Sequence, residues 1–280
     1  MRTRRKKWLY ALLFYVCCTF IAVLWMIPFL VAMFTAFKTI DEVFMLRNFW
    51  APPRTWTLEN FKIAWKEGKM SRYFVNTLWV TSISVSGTLF LSSLAAFALS
   101  WYDFKMKKPI LMIFVAGMLI PFQMLLIPVY KFSVVTGLYD TLTGVILFHI
   151  AFQLGFCTFF LRNFMITIPS SLFDAARIDG AGAFTIYVKI IMPLMKPAVA
   201  ALAILEFTWI WNDYLWSLIL LQSDIKKTVT IGLTTFQGQW ISSWNIIAAG
   251  SLLVASVPVV VFLLFQSYFI KGLTFGGIKG

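Results

Sequence analysis

The chain has 280 residues, 60% of them hydrophobic and 12% charged, with a mean hydropathy of +0.84. A water-soluble domain runs near 45–50% apolar and about 25% charged, so the composition excludes an independent soluble enzyme and points to a membrane protein. The formal charge of +13, from 24 Lys and Arg against 11 Asp and Glu, raises nucleic acid as a partner, but the placement of the charges points to membrane orientation and to no nucleic acid. In chain order, Arg2, Arg4, Arg5, Lys6 and Lys7 precede a run from Trp8 to Phe37 with no ionised residue. That run exceeds the roughly 7–15 apolar residues of a cleaved signal and is rich in Phe, Trp and Met, so a retained first span is expected. In the polar segment 38–72 that follows, Ala51-Pro52-Pro53 enforces extended backbone, and Thr57 is placed to cap an amphipathic stretch bearing Leu58, Phe61, Ile63, Ala64 and Trp65. That stretch either lies against the bundle or the interface, or meets an external partner.

Further spans are predicted at Tyr73–Trp101, Pro109–Tyr130, Leu142–Leu161, Pro197–Leu221 and Trp244–Ile270, each long enough at about 1.5 Å per residue to cross the apolar layer. The third holds Pro121 and Pro128, whose missing donors predict a bend or local break between Ile120 and Pro128. Cys17, Cys18 and Cys157 lie in apolar runs without metal-ligand spacing or a disulfide framework and read as small hydrophobes. The fold class is therefore all-α, a polytopic membrane protein with six transmembrane helices.

Six spans put both termini on one side, and the basic residues choose it. With the N-terminus inside, the inner segments hold fourteen basic residues: Arg2, Arg4, Arg5, Lys6, Lys7, Lys105, Lys107, Lys108, Arg162, Arg177, Lys189, Lys196, Lys271 and Lys279. The outer segments hold ten. Seven of these (Lys38, Arg47, Arg54, Lys62, Lys66, Lys69 and Arg72) share one long segment with Asp41, Glu42, Glu59 and Glu67, which leaves Lys131, Lys226 and Lys227 elsewhere. Fourteen against three predicts an N-in, C-in topology.

Between the fourth and fifth spans, Ile168-Pro169-Ser170-Ser171-Leu172-Phe173-Asp174-Ala175-Ala176-Arg177-Ile178-Asp179-Gly180 reads as a short helix. Pro169 stops the preceding element, Ser170 or Ser171 is placed as cap with Asp174 as a shortened capping-box acid, and Gly180 supplies the exit. A second helical stretch from Ala183 is expected to halt at Pro193, with Pro197 opening the fifth span. Ala175 and Ala176 allow close approach of another surface, and Phe173 is expected to protrude as an apolar anchor. A connection between helices needs about 2–8 residues, so a loop over 162–196 implies contact with a partner or with the membrane surface.

Inside the spans, Glu206, Asn212 and Asp213 lie on the fifth and should face protein or water because a buried charge is costly in lipid. Trp209, Trp211 and Trp216 on the same segment suit either sugar contact or interfacial anchoring. Asn76 and Gln123 are further polar candidates for a translocation path, or bond across helices; His149, the single histidine, reads as a hydrogen-bonded span residue.

The run Asp174-Ala175-Ala176-Arg177-Ile178-Asp179-Gly180-Ala181-Gly182, followed by Ile191-Met192-Pro193-Leu194-Met195-Lys196-Pro197, resembles the EAA loop of bacterial ABC importer permeases, with Asp174 at the motif's Glu position. Phe74-Val75-Asn76-Thr77-Leu78, Trp211-Asn212-Asp213-Tyr214 and Tyr268-Phe269-Ile270-Lys271-Gly272-Leu273-Thr274, with the end Gly276-Gly277-Ile278-Lys279-Gly280, are similar to MalG-like carbohydrate permeases with a MetI-like transmembrane domain. The resemblance implies a type I importer permease fold: a basic tail and first helix (1–37), an extracellular segment (38–72), a five-span core (73–270) carrying the coupling loop, and a cytoplasmic tail (271–280). It also implies a MalF-like permease partner, two ABC ATPase subunits, an extracellular substrate-binding protein or lipoprotein, and a small sugar as substrate. Phe173, Asp174, Ala175, Ala176, Arg177, Asp179 and Gly180 would couple to the ATPase. This chain would bind no cofactor; ATP and Mg would sit in the partners, in keeping with the absence of a Gly-x-x-x-x-Gly-Lys-Ser/Thr loop. A polyol or glycerol phosphoester permease, an ion-coupled secondary transporter using Glu206 or Asp213, and a non-transporting scaffold are the competing readings; the last two leave the long loop unexplained.

Overall fold

A computed structural model describes residues 2–44, 50–236 and 243–274; side chains of 2–7, 9 and 268–274 are outside that description, as are the predicted roles of the N-terminal basic side chains, of Arg47 and of the stretch 268–280. Every regular element among the described residues is helical. In order they are α1 (Arg2–Phe37), α2 (Ile40–Phe44), α3 (Glu59–Lys66), α4 (Met70–Trp101), α5 (Lys107–Met118), a 3-10 turn (Phe122–Leu125), α6 (Leu126–Val135) and α7 (Leu142–Met165). Then follow α8 (Ser170–Ile178), α9 (Ala183–Ile186), a π turn (Tyr187–Ile191), α10 (Met192–Trp211), α11 (Leu215–Leu220), a 3-10 turn (Asp224–Lys226), α12 (Val229–Thr234) and α13 (Trp244–Thr274). Five helical stretches are long and apolar enough to cross a membrane, and a sixth span results if α5 and the segment Phe122–Val135, bent by 95°, count as one. The bend falls between Met118 and Phe122, where Pro121 cannot donate and the backbone turns extended at ψ 121°.

The fifth span departs from expectation at both ends. It begins at Ala183, and Pro193 does not halt it: the π turn just before α10 passes the Met192 N–H back to the Tyr187 carbonyl, five residues away, and helix continues through Pro193 and Pro197. A wider turn of this kind relieves the clash that a proline ring makes with the preceding turn. At the other end α10 stops at Trp211, not Leu221, and α11 restarts after the break at 212–214.

The chain forms two compact units, Met1–Met70 with Gly232–Ala255, and Ser71–Ile231 with Ser256–Gly280. In the first, the Asn60 amide on α3 donates to the carbonyls of Ala36 and Lys38, both at 2.8 Å, so it closes the end of α1, while the Asn245 amide of α13 donates to the Asn60 oxygen at 2.8 Å. The Thr57 hydroxyl accepts the Glu59 N–H at 3.1 Å, a turn ahead of α3 rather than a cap on it. In the second unit, α4, α7 and α10 meet in two apolar clusters. One, at the α8 end, gathers Phe97, Leu161, Met165, Ile191, Met195 and Leu202; the other, at the α11 end, gathers Val80, Val145, Ile146, Ile210 and Trp216.

Candidate functional site

The segment following α7 is built on an aromatic base. The Phe173 ring stacks on Trp101 at 4.9 Å with 12° between planes and meets Tyr102 edge-on at 6.2 Å, leaving Phe173 only 4% exposed. The reading of Phe173 as a protruding anchor is therefore corrected: the ring fastens α8 to the end of α4. Ala176, three residues on and on the same helical face, is buried too. Tyr187 secures the next turn, its hydroxyl 2.7 Å from Ser93 Oγ. The predicted side-chain cap is absent, since Pro169 occupies the cap position of α8 and neither serine bonds back to it. The predicted glycine exit is present: Gly180 has φ +79°, its N–H donates to the Arg177 carbonyl, and the Ala181 N–H donates to the Ala176 carbonyl at 2.9 Å. These two bonds close the helix as a left-handed glycine cap.

With Phe173 and Ala176 turned in, the face turned out carries Asp174, Ala175, Arg177, Ile178, Asp179 and Gly180. Arg177 leans back over the Phe173 ring at 5.3 Å, a contact of the cation–π kind. Sequence reasoning missed the two apolar groups that do protrude, Ile178 at 85% and Phe184 at 76% exposure. The signal was available for Ile178, which lies four residues after Asp174 and so shares the face opposite Phe173.

The polar span residues separate into those held by the chain itself and those left open. Asn76 is engaged, its amide donating to the carbonyls of Ile225 (3.0 Å) and Lys227 (2.9 Å). Asp213 sits in the break between α10 and α11 and accepts the N–H groups of Trp216 (3.2 Å) and Ser217 (2.9 Å) and the Ser217 hydroxyl (2.8 Å), so it caps α11. His149 Nε2 lies 3.6 Å from its carboxylate. Glu206 is fully buried and accepts the Cys157 thiol at 3.2 Å. Trp211 and Trp216 are buried in ring clusters, against Phe207 and Phe148 respectively. What stays open is Trp209, 46% exposed with Phe156 beside it at 5.3 Å, and Asn212 one helical step further, whose amide donates to the Thr208 carbonyl. Gln123 is exposed as well, in the turn between α5 and α6.

A further polar hub joins two loops and α4. Asp140, at φ +55°, accepts the N–H groups of Gln222 and Ser223, the Ser223 hydroxyl, and Lys226 Nζ at 3.0 Å. Burial works against its charged form, but these hydrogen bonds outweigh it and hold the carboxyl well below the usual carboxylate range. Tyr73 donates to Asp224 at 2.9 Å, and Thr77 accepts the Val229 N–H at 2.9 Å, tying α4 to the same loop. Nothing local in the sequence pairs Asp140 with residues more than eighty positions away.

The sequence matches the family model "Binding-protein-dependent transport system inner membrane component" over residues 88–274, well over half the chain. The chain belongs to this family. It is a multi-pass inner-membrane permease subunit, not an enzyme. It is 36% identical to the arabinooligosaccharides transport system permease protein AraQ of Halalkalibacterium halodurans over 265 residues, covering 93% of this chain and 94% of that one. To the melibiose/raffinose/stachyose import permease protein MelC of Bacillus subtilis it is 32% identical over 255 residues, 91% of each chain. The fold is that of a chain in the crystal structure of a bacterial ABC transporter involved in alginate import, with a TM-score of 0.83 over 95% of this chain and 98% of that one at 22% identity. The type I importer permease fold follows.

Proposed function

We propose that this permease forms half of the membrane path of an ATP-driven importer for a sugar or oligosaccharide delivered by an extracellular binding protein. The observation that carries the reading is the family match combined with sugar and oligosaccharide permeases such as AraQ and MelC that align along nine-tenths or more of the chain. The other half would be a MalF-like permease, and two ATPase subunits would bind on the inner side. The excess of basic residues in the segments assigned inside supports an N-in, C-in arrangement, with 38–72 extracellular and 162–196 cytoplasmic.

In this reading α8 is the coupling helix. A lever must resist compression, and α8 does so by stacking Phe173 on Trp101 and by closing its last turn at Gly180. The docking face is Asp174, Ala175, Arg177, Asp179 and Gly180, joined by Ile178 and Phe184, which supply the apolar area that Phe173 does not. The solute-facing groups are Trp209 and Asn212, an exposed indole beside an amide, which is the pairing that suits a sugar's C–H face and hydroxyls.

Reconstituting the chain with a partner permease, the ATPase and the binding protein in proteoliposomes tests the proposal. Uptake that requires ATP and a sugar-loaded binding protein is the expected result. Uptake by this polypeptide alone, driven by an ion gradient, would overturn it, as would labelling of a cysteine at Arg177 from the outside of intact cells.

A further inference from the structure

Within the second unit, α7 and α10 meet along a polar seam. His149, Gln153 and Cys157, spaced four apart, share one face of α7 and are all buried. Glu206 of α10 and Asp213, seven residues later, answer them at two levels: His149 Nε2 stands 3.6 Å from Asp213, and the Cys157 thiol donates to Glu206 Oε1 at 3.2 Å. Eight residues of α7, a rise of about 12 Å, separate the two levels, and the order is reversed from Glu206 on α10 to Asp213 just past its end, as an antiparallel pair requires.

The seam starts within the apolar cluster at the α8 end, of which Cys157 is a member, and its charges do not balance. It holds two carboxylates and one imidazole, and the imidazole stands against Asp213. Glu206 is fully buried, its Oε2 has no hydrogen-bond partner, and no lysine or arginine pairs with it among the described residues. Its single donor is a thiol, a weak one. Thr158, next to Cys157 in sequence on α7, is a further fully buried hydroxyl that lacks a partner among the described residues. An ionised carboxylate so placed would face low-dielectric surroundings with no cation and one weak hydrogen bond, an arrangement that folded proteins avoid by neutralising the group.

We propose that Glu206 is a buried proton-binding site: an uncharged carboxylic acid that accepts the Cys157 thiol on Oε1 and carries its proton on Oε2. The α7–α10 contact at this level is then neutral, so the two helices can shift against each other without separating an ion pair. The ionised form at Asp213, by contrast, has backbone N–H groups to receive it.

Infrared difference spectroscopy of the assembled transporter in lipid at pH 7 reads the proton directly. A carbonyl stretch of an un-ionised carboxylic acid should be present in the wild type and lost in E206Q, and C157A should move it to higher frequency by removing the thiol donor. E206Q, a neutral isostere, should keep ATP-driven uptake within about twofold. A wild-type minus E206Q spectrum showing only ionised-carboxylate bands would overturn the proposal. So would a C157A spectrum with the acid band unmoved, a readout that stands even if E206Q fails to assemble. The spectrum depends on neither the solute nor the ATPase contact, so its failure leaves the functional proposal intact.

Discussion

The exposure expected of Phe173 belongs instead to Ile178 and Phe184, and mutation separates a buried fastening role from a protruding one. Phe173 is 4% exposed, stacked at 4.9 Å on Trp101 and within ring contact of Phe97 and Tyr102. Phe→Ala at a buried position costs about 3–5 kcal/mol, of which a specific aromatic pair supplies about 0.5–1.5. At about 1.4 kcal/mol per tenfold, even the lower figure raises the undocked fraction of α8 more than a hundredfold. F173A should therefore lower the thermal unfolding temperature of the purified permease complex in detergent and expose the 162–196 loop to protease. Ile178 and Phe184 are 85% and 76% exposed, so truncating them should move stability by no more than about 0.5 kcal/mol. If the ATPase covers them, each contributes about 1.5–3 kcal/mol of burial, and the I178A and F184A variants should each release the ATPase about ten- to a hundredfold more readily, measured by co-purification at graded ATPase concentration. The reasoning fails if F173A leaves stability and protease resistance unchanged while ATPase attachment drops, because that is the behaviour of a protruding anchor. It fails equally if I178D combined with F184D leaves attachment and uptake at wild-type levels.

Gly180 at φ +79° admits no β-branched residue without strain of about 1–2 kcal/mol, so G180V should uncouple ATP hydrolysis from uptake with membrane insertion intact, as read by ATPase activity against transport in the same vesicles. D140N should lower the unfolding temperature at neutral pH by breaking the hub on Gln222, Ser223 and Lys226. Because the native carboxyl is held below its unfolded value near 4, its contribution is complete above that pH and fades as the pH falls through the native value; the acid-side slope of stability below about pH 4 should flatten in D140N and remain in the wild type. D213L should destabilise by removing the cap of α11, about 1–2 kcal/mol in a thermal melt, whereas W209A should leave the melt unchanged and reduce uptake at limiting concentrations of loaded binding protein.

Hydropathy made the spans legible because crossing the apolar layer requires about 20 apolar residues whatever the tertiary fold. The break near Pro121 and the exit at Gly180 were legible for a similar reason: a missing donor and a positive φ are local constraints that residue type reports. The start of the fifth span was not, because a proline's effect depends on the turn before it, and the π turn at Tyr187–Ile191 is set by the packing of Tyr187 and Ile191 in the core at the α8 end. The missing α8 cap has the same character. Ser170 and Ser171 have the right identity, but the Trp101–Phe173 stack fixes where the helix begins, and Pro169 takes the cap position.

The candidate path residues show where residue type runs out. A polar side chain in a span reads identically whether it lines a route or bonds to its own chain, and the difference is made by partners distant in sequence. Asn76 finds two carbonyls about 150 positions away, and Asp213 finds the first amides of the helix that its own break creates. Each bond satisfies a group that would otherwise be costly in lipid, so a residue with its bonds complete has little left to offer a passing solute. Trp209 differs because an indole face keeps its stacking surface whatever its N–H does, and here nearly half of the side chain remains uncovered. Depth in the membrane thus selects Glu206 and Asp213, exposed surface selects Trp209 with Asn212, and only residues of the second kind can exchange their contacts for a sugar without leaving a buried group unpaired.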